Sequence, residues 1–84
     1  MNKVKCHNIK IERVFFDKVL DGSKTFEIRF DDRGYESGDH VVLHETNGEK
    51  GLTGHTIHKK IGFITEYAQQ QCYCVFSLLD LTSE

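Results

Sequence analysis

Between Ile11 and Leu20 the apolar residues Ile11, Val14, Phe15 and Val19, with the pair Phe16 and Leu20 alongside, recur three and four positions apart. That is the spacing of one helical face. Gly22 follows where a left-handed helix end favours glycine, so the pattern predicts one short helix over 11–20. Its Phe15, Phe16, Val19 and Leu20 are read as core, because a single short helix must dock by such a stripe. From residue 24 to 30 the period changes to two, with Phe26, Ile28 and Phe30 on one face and Thr25, Glu27 and Arg29 on the other. This predicts a strand that buries its apolar face.

Weaker alternation predicts a first strand over 4–10. Further strands are expected at 40–45, which carries Val41, Val42 and Leu43, at 55–66, which carries Ile61 and Phe63, and at 73–81, where Val75, Leu79 and Leu81 share a face. Turn formers fill 31–39, and glycines 48, 51 and 54 mark a second loop over 46–54, the expected flexible insert. A strand, a helix and four more strands point to a mainly β (α+β) fold. The economical form is a five-stranded barrel capped by the helix. The absence of proline removes one device for blocking a sheet edge, which favours closure.

With 84 residues there is room for one core, so residues 1–84 are expected to form a single domain. The 38% apolar content and nine aromatic residues, six Phe and three Tyr, suit a globular chain. No window reaches the ~18 apolar residues of a membrane span, and the first residues lack the apolar stretch of a signal peptide. A cytoplasmic monomer is the expectation, with no membrane partner. Three cysteines, Cys6, Cys72 and Cys74, are expected to be reduced, and Cys72 and Cys74 to be small buried hydrophobes beside Phe76 and Leu78. The net charge is only −2, but residues 1–29 hold seven Lys/Arg against four Asp/Glu and residues 30–50 hold two against six. One face would then attract phosphate.

Chemistry concentrates in Gly22-Ser23-Lys24-Thr25-Phe26-Glu27-Ile28-Arg29. Lys24 offers a point charge, Arg29 a donor fork suited to phosphate or a base edge, and Glu27 an acceptor for an exocyclic amine or a proton. The plainer alternative is a solvated strand face on which Glu27 pairs with a neighbouring cation.

This segment, preceded by His7-Asn8-Ile9-Lys10-Ile11 and Phe16 and followed by Asp32-Arg33-Gly34-Tyr35 and Gly38-Asp39, resembles small bacterial and phage-borne domains of the ASCH superfamily. These are relatives of the PUA RNA-binding domains, and the late Thr53-Gly54 and Ile61 to Ile64 fit as well. The resemblance implies a PUA-like barrel with a cleft between helix and barrel, lined by Lys24, Glu27 and Arg29 and flanked by Arg33, that binds RNA or a modified nucleoside. Some relatives are amidohydrolases that deacetylate acetylcytidine with a lysine, a threonine and a glutamate. Lys24 matches the lysine, but Glu27 stands where their threonine is expected, with Thr25 two positions away and Glu66 a late carboxylate.

Tyr35, Tyr67 and Tyr73 are candidates to stack on bases, or else loop anchors. His40 and His44 lie about 13 Å apart along a strand, too far to share a metal, and His55 and His58 fall on opposite faces, so neither metal nor cofactor is expected. His7 is read as a core or loop histidine. The Gly48/Gly51/Gly54 series lacks the Lys-Ser/Thr of a phosphate loop. A near-neutral chain is poorly suited to long RNA, because phosphate neutralisation drives nonspecific affinity. The leading expectation is therefore a module for a nucleotide, alone or within RNA. The alternatives are an amidohydrolase using Lys24, Thr25 and Glu27, and a phage or mobile-element regulator that reads another protein.

Overall fold

The computed structural model describes residues 4–49 and 51–81. Strand β1 (Cys6–Glu12) runs directly into helix α1 (Arg13–Leu20) and is followed by β2 (Phe26–Phe30), β3 (His40–Thr46), β4 (Leu52–Thr65) and β5 (Tyr73–Asp80). The helix begins two residues later than its periodicity suggests, because Ile11 and Glu12 stay extended to pair with Glu45 and Thr46. Gly22 does end the helix, with φ +89° and its N–H donating to the Val19 carbonyl.

The five strands form one curled sheet in the order β1-β3-β4-β5-β2. β1 and β3 are parallel and the other pairs antiparallel. The expected closed barrel is corrected to a half-barrel, because β1 and β2 lie at opposite ends of that order and do not pair. β4 is longer than expected, since Leu52, placed in a loop by the flanking glycines, pairs with Thr46 of β3 beyond a bulge at His44/Thr46 and the strand runs on from there. Among the described residues, no helix is long and apolar enough to cross a membrane.

The core fills the concave side. Ile9 and Ile11 of β1, Val41 and Leu43 of β3, Ile61 of β4 and Cys74, Phe76 and Leu78 of β5 meet Phe16 and Val19 of the helix. Phe15 and Leu20, also read as core, are 47% and 67% exposed, since eight residues of helix can turn only one narrow stripe inward. Cys72 likewise leaves the buried set: it is exposed, at φ 70° in the turn before β5, whereas Cys74 is buried and its thiol is raised by burial.

A buried polar anchor replaces a β1–β2 ladder in holding the start of β1. The Asp39 carboxylate accepts from His7 Nε2 at 2.8 Å, from the Glu36 N–H at 3.0 Å and from the Lys5 N–H at 3.3 Å. Burial raises its pKa, but these bonds outweigh burial and hold the group below the ordinary carboxylate range. The His7 ring packs on Tyr35 with centroids 4.7 Å apart, and Tyr35 packs on Phe76 at 5.0 Å.

Candidate functional site

Alternation in β2 is as regular as the sequence suggests, but the faces are reversed. Glu27 is 4% exposed and points inward, while Phe26, Ile28 and Phe30 are 43%, 50% and 50% exposed on the outside. The reason lies in the half-barrel. Tyr35 and Phe76 already fill the space that the inner face of β2 would cover, so that face lines the opening toward β1 and can carry charge.

The opening is a cavity of about 380 Å³ between the two unpaired edges, with Lys10, Ile11 and Glu12 on one wall, Phe26, Glu27, Ile28 and Arg29 on the other, and Phe15 and Lys24 at the helix end. Glu27 is held by two cations: Lys24 Nζ lies 2.5 Å from its Oε2, and Arg29 NH1 lies 3.5 Å from its Oε1. Lys24 also donates to the Phe26 carbonyl at 2.7 Å and sits over the Phe26 ring, 5.0 Å from its centroid, with the Phe15 ring at 6.0 Å. A lysine held between two aromatic faces and a carboxylate has little rotamer freedom left to lose when a ligand arrives.

Lys24, Glu27 and Arg29 are therefore brought together, and the other candidates are not. Arg33 does not line the cavity: its NH1 donates to the Asn8 carbonyl at 2.6 Å, tying the loop after β2 to the free edge of β1. Tyr35, a candidate for stacking, is 6% exposed within the core, so its ring has no free face for a base. Burial pushes its phenol up, opposed by the neighbouring Arg33 and Arg29. Thr25 opens on a separate depression of about 340 Å³ with Val19, Gly22, Lys59 and Asp80, which only Lys24 shares with the main cavity. Glu66 lines neither.

Two features escape sequence reasoning. Phe15 looks like core by helical spacing yet forms a cavity wall, and only the strand-to-helix join at residue 12 rotates it there. Glu45 is a second buried carboxylate, accepting from Thr53 Oγ1 at 2.5 Å, His55 Nδ1 at 3.1 Å and Arg13 Nε at 3.4 Å. Those bonds, Thr53's first, hold it below the ordinary range, which makes it a poor base toward the Thr53 hydroxyl. No local motif announces this cluster, because its members come from α1, β3 and β4.

A curled half-barrel with a charged, aromatic-walled opening between its two free edges defines the molecule as a small mainly β domain. Residues 6–78 match the family model described as Domain of unknown function (DUF3850), and the chain belongs to that family. It is also similar to an uncharacterized 12.9 kDa protein in the GpA 3' region of Escherichia phage P2, at 39% identity over 62 residues, 74% of this chain and 56% of that protein. The match thus spans about half the length of that relative.

Proposed function

We propose that the cleft between β1 and β2 binds a nucleotide, free or as an exposed residue of RNA, in the manner of a PUA-like ASCH domain. The observation that carries this reading is the buried Glu27 clamped between Lys24 and Arg29 at the inner wall of a cavity whose rim is aromatic. Three cations, Lys10, Lys24 and Arg29, face two carboxylates, Glu12 and Glu27, leaving one positive charge for a single phosphate group. Phe15 and Phe26 offer half-exposed ring faces to a base. Glu27 then accepts from an exocyclic amine while its second oxygen stays on Lys24. The size of the cavity fits one nucleotide and does not accommodate a duplex.

The amidohydrolase alternative draws less support. Thr25 and Glu27 open on different depressions, so a lysine-threonine-glutamate set does not converge on one reacting atom.

The test is a thermal-shift panel of nucleosides, nucleoside monophosphates, acetylcytidine and short single-stranded RNAs, repeated on Phe15→Ala. A ligand bound only by the folded state raises the melting temperature. Loss of one stacking face weakens binding by roughly 5- to 150-fold, corresponding to ~1–3 kcal/mol per base. No shift with any of these compounds, or equal shifts with Phe15→Ala, sinks the reading. Conversion of acetylcytidine to cytidine and acetate favours the enzyme.

A further inference from the structure

The segment Lys24-Thr25, where the chain leaves the helix and enters β2, separates two depressions. On one side lies the β1–β2 cleft, in which Lys24 Nζ is held against Glu27 and near the Phe15 and Phe26 rings. On the other lies the depression formed by Val19, Gly22, Thr25, Lys59, Leu78 and Asp80, of about 340 Å³ against about 380 Å³ for the cleft. Lys24 lines both.

The second depression has the chemistry of a phosphate site. Its cation is Lys59, which the register places opposite Val41 of β3 and Asp80 of β5, ahead of a bulge in β4 between Ile61 and Ile64. Val41 is fully buried, so Lys59 stands on the core face of the sheet, where alternation along β4 puts Ile57 and Ile61. Its aliphatic stem is covered, the side chain being 18% exposed, and the ammonium reaches the rim. Among the described residues that ammonium bonds only Asp80 Oδ1, at 2.5 Å, and the Asp80 side chain is 83% exposed. A pair with one member in solvent is screened and weak. An ammonium carries three donors, and Asp80 takes one of them. Thr25, exposed in the same depression, adds a hydroxyl, and the buried Val19 and Leu78 add apolar lining. The space over Gly22 is clear, since a Cβ there would meet no atom within 4 Å.

We infer that this depression takes the nucleotide next to the one in the cleft, so that the ligand is a single-stranded dinucleotide step with Lys24 at its linkage. The inference rests on the cleft being a nucleotide site. A mononucleotide fills the cleft alone and does not reach Lys59. A strand that continues past Lys24 sets its next phosphate against Lys59 and the Thr25 hydroxyl, with its sugar over Val19 and Leu78. Docking the first residue holds the second at high effective concentration beside its own site. Asp80 opposes this step, because its carboxylate and the phosphate compete for one ammonium.

Isothermal titration calorimetry with ribonucleoside 5′-monophosphates and 5′-phosphorylated ribodinucleotides tests this on the wild type, Lys59→Met and Asp80→Asn. A dinucleotide should bind at least about tenfold more tightly than either of its mononucleotides, the worth of one charge-assisted hydrogen bond. Lys59→Met keeps the buried stem; it should lose that gain and bind mononucleotides as the wild type does, which also shows that it is folded. Asp80→Asn, at an exposed position, removes the competing anion and should tighten the dinucleotide severalfold with mononucleotides unchanged. Mononucleotide binding with no gain for any dinucleotide overturns the inference and leaves the nucleotide reading of the cleft standing. A gain that Lys59→Met retains, or wild-type dinucleotide affinity in Asp80→Asn, does the same. If neither mononucleotides nor dinucleotides bind, the reading of the cleft falls and the inference falls with it.

Discussion

Lys24 Nζ and Glu27 Oε2 lie 2.5 Å apart across one turn of extended chain, with the carboxylate 5% and the lysine side chain 18% exposed. Helix end, strand start and cleft are thereby joined in one ion pair. Its second cation, Arg29, is 28% exposed. Removing the carboxylate leaves two partly buried cations facing each other, whereas removing one cation leaves the other in place. We therefore expect Glu27→Ala to cost on the order of 3 kcal/mol and Arg29→Ala clearly less. Urea denaturation of the two variants checks the order; equal losses would mean that Glu27 is not the centre of the cluster.

Reversal of β2 marks the boundary of what the sequence makes legible. Alternation located the strand to within two residues and grouped Glu27 with Arg29 on one face, because a period of two is a local property. Which face turns inward is not local. It depends on whether the strand has a neighbour on both sides, and on Tyr35 arriving from the next loop to occupy the core beneath it. The same limit placed Phe15 in the core and Tyr35 at the site, each in the other's role. The helix stop at Gly22 and the cluster of Lys24, Glu27 and Arg29 were legible because a few consecutive residues determine them.

Acid lability should centre on Asp39. Its folded pKa is depressed, so the stability it contributes is present above the unfolded value of ~3.9 and is lost as pH falls through the folded value. Glu45, held down by Thr53, and Asp80, held down by Lys59, act in the same direction. Thermal unfolding from pH 6 to 3 should show stability falling below about pH 4. Asp39→Asn, which cannot titrate, should start lower at pH 6 and fall less steeply. Parallel curves for the two proteins would remove Asp39 from this role.

Gly62 and Gly51 make opposite predictions for the same substitution. A Cβ on Gly62 would lie 2.6 Å from Ser77 Oγ and 2.9 Å from Leu79 Cδ1, whereas one on Gly51 meets nothing nearer than Asn47 at 3.6 Å. Gly62→Ala must push Ser77 away and break its bond from the Phe63 N–H, costing about 1–3 kcal/mol as an overpacking change. Gly51→Ala should change stability by less than about 0.5 kcal/mol, as surface substitutions do. Comparable denaturation midpoints for both variants would contradict the bulge geometry.

Arg29 and Arg33 do across the opening what a strand ladder would do in a closed barrel. The carbonyls of Asn8 and Lys10 belong to alternate residues of β1 and accept from Arg33 NH1 at 2.6 Å and Arg29 NH1 at 3.4 Å, both reaching over from the β2 side. Two bonds spanning one gap should couple: once one is lost, the edges separate and the other loses its geometry. Arg33→Ala and Arg29→Ala should therefore destabilise the fold non-additively, with an interaction energy of about 0.5 kcal/mol or more in a double-mutant cycle. Hydrogen exchange gives the complementary measure. Arg33→Ala should speed exchange of the Ile9 and Ile11 amides, which hold β1 to β3, more than that of the Val41 and Leu43 amides deeper in the sheet. Because Arg33 lies outside the cavity, the same variant should bind a cleft ligand with its phosphate contact intact and lose affinity only in proportion to the loosened β1 wall. Strict additivity together with unchanged exchange in β1 would show that the opening is held by the core alone.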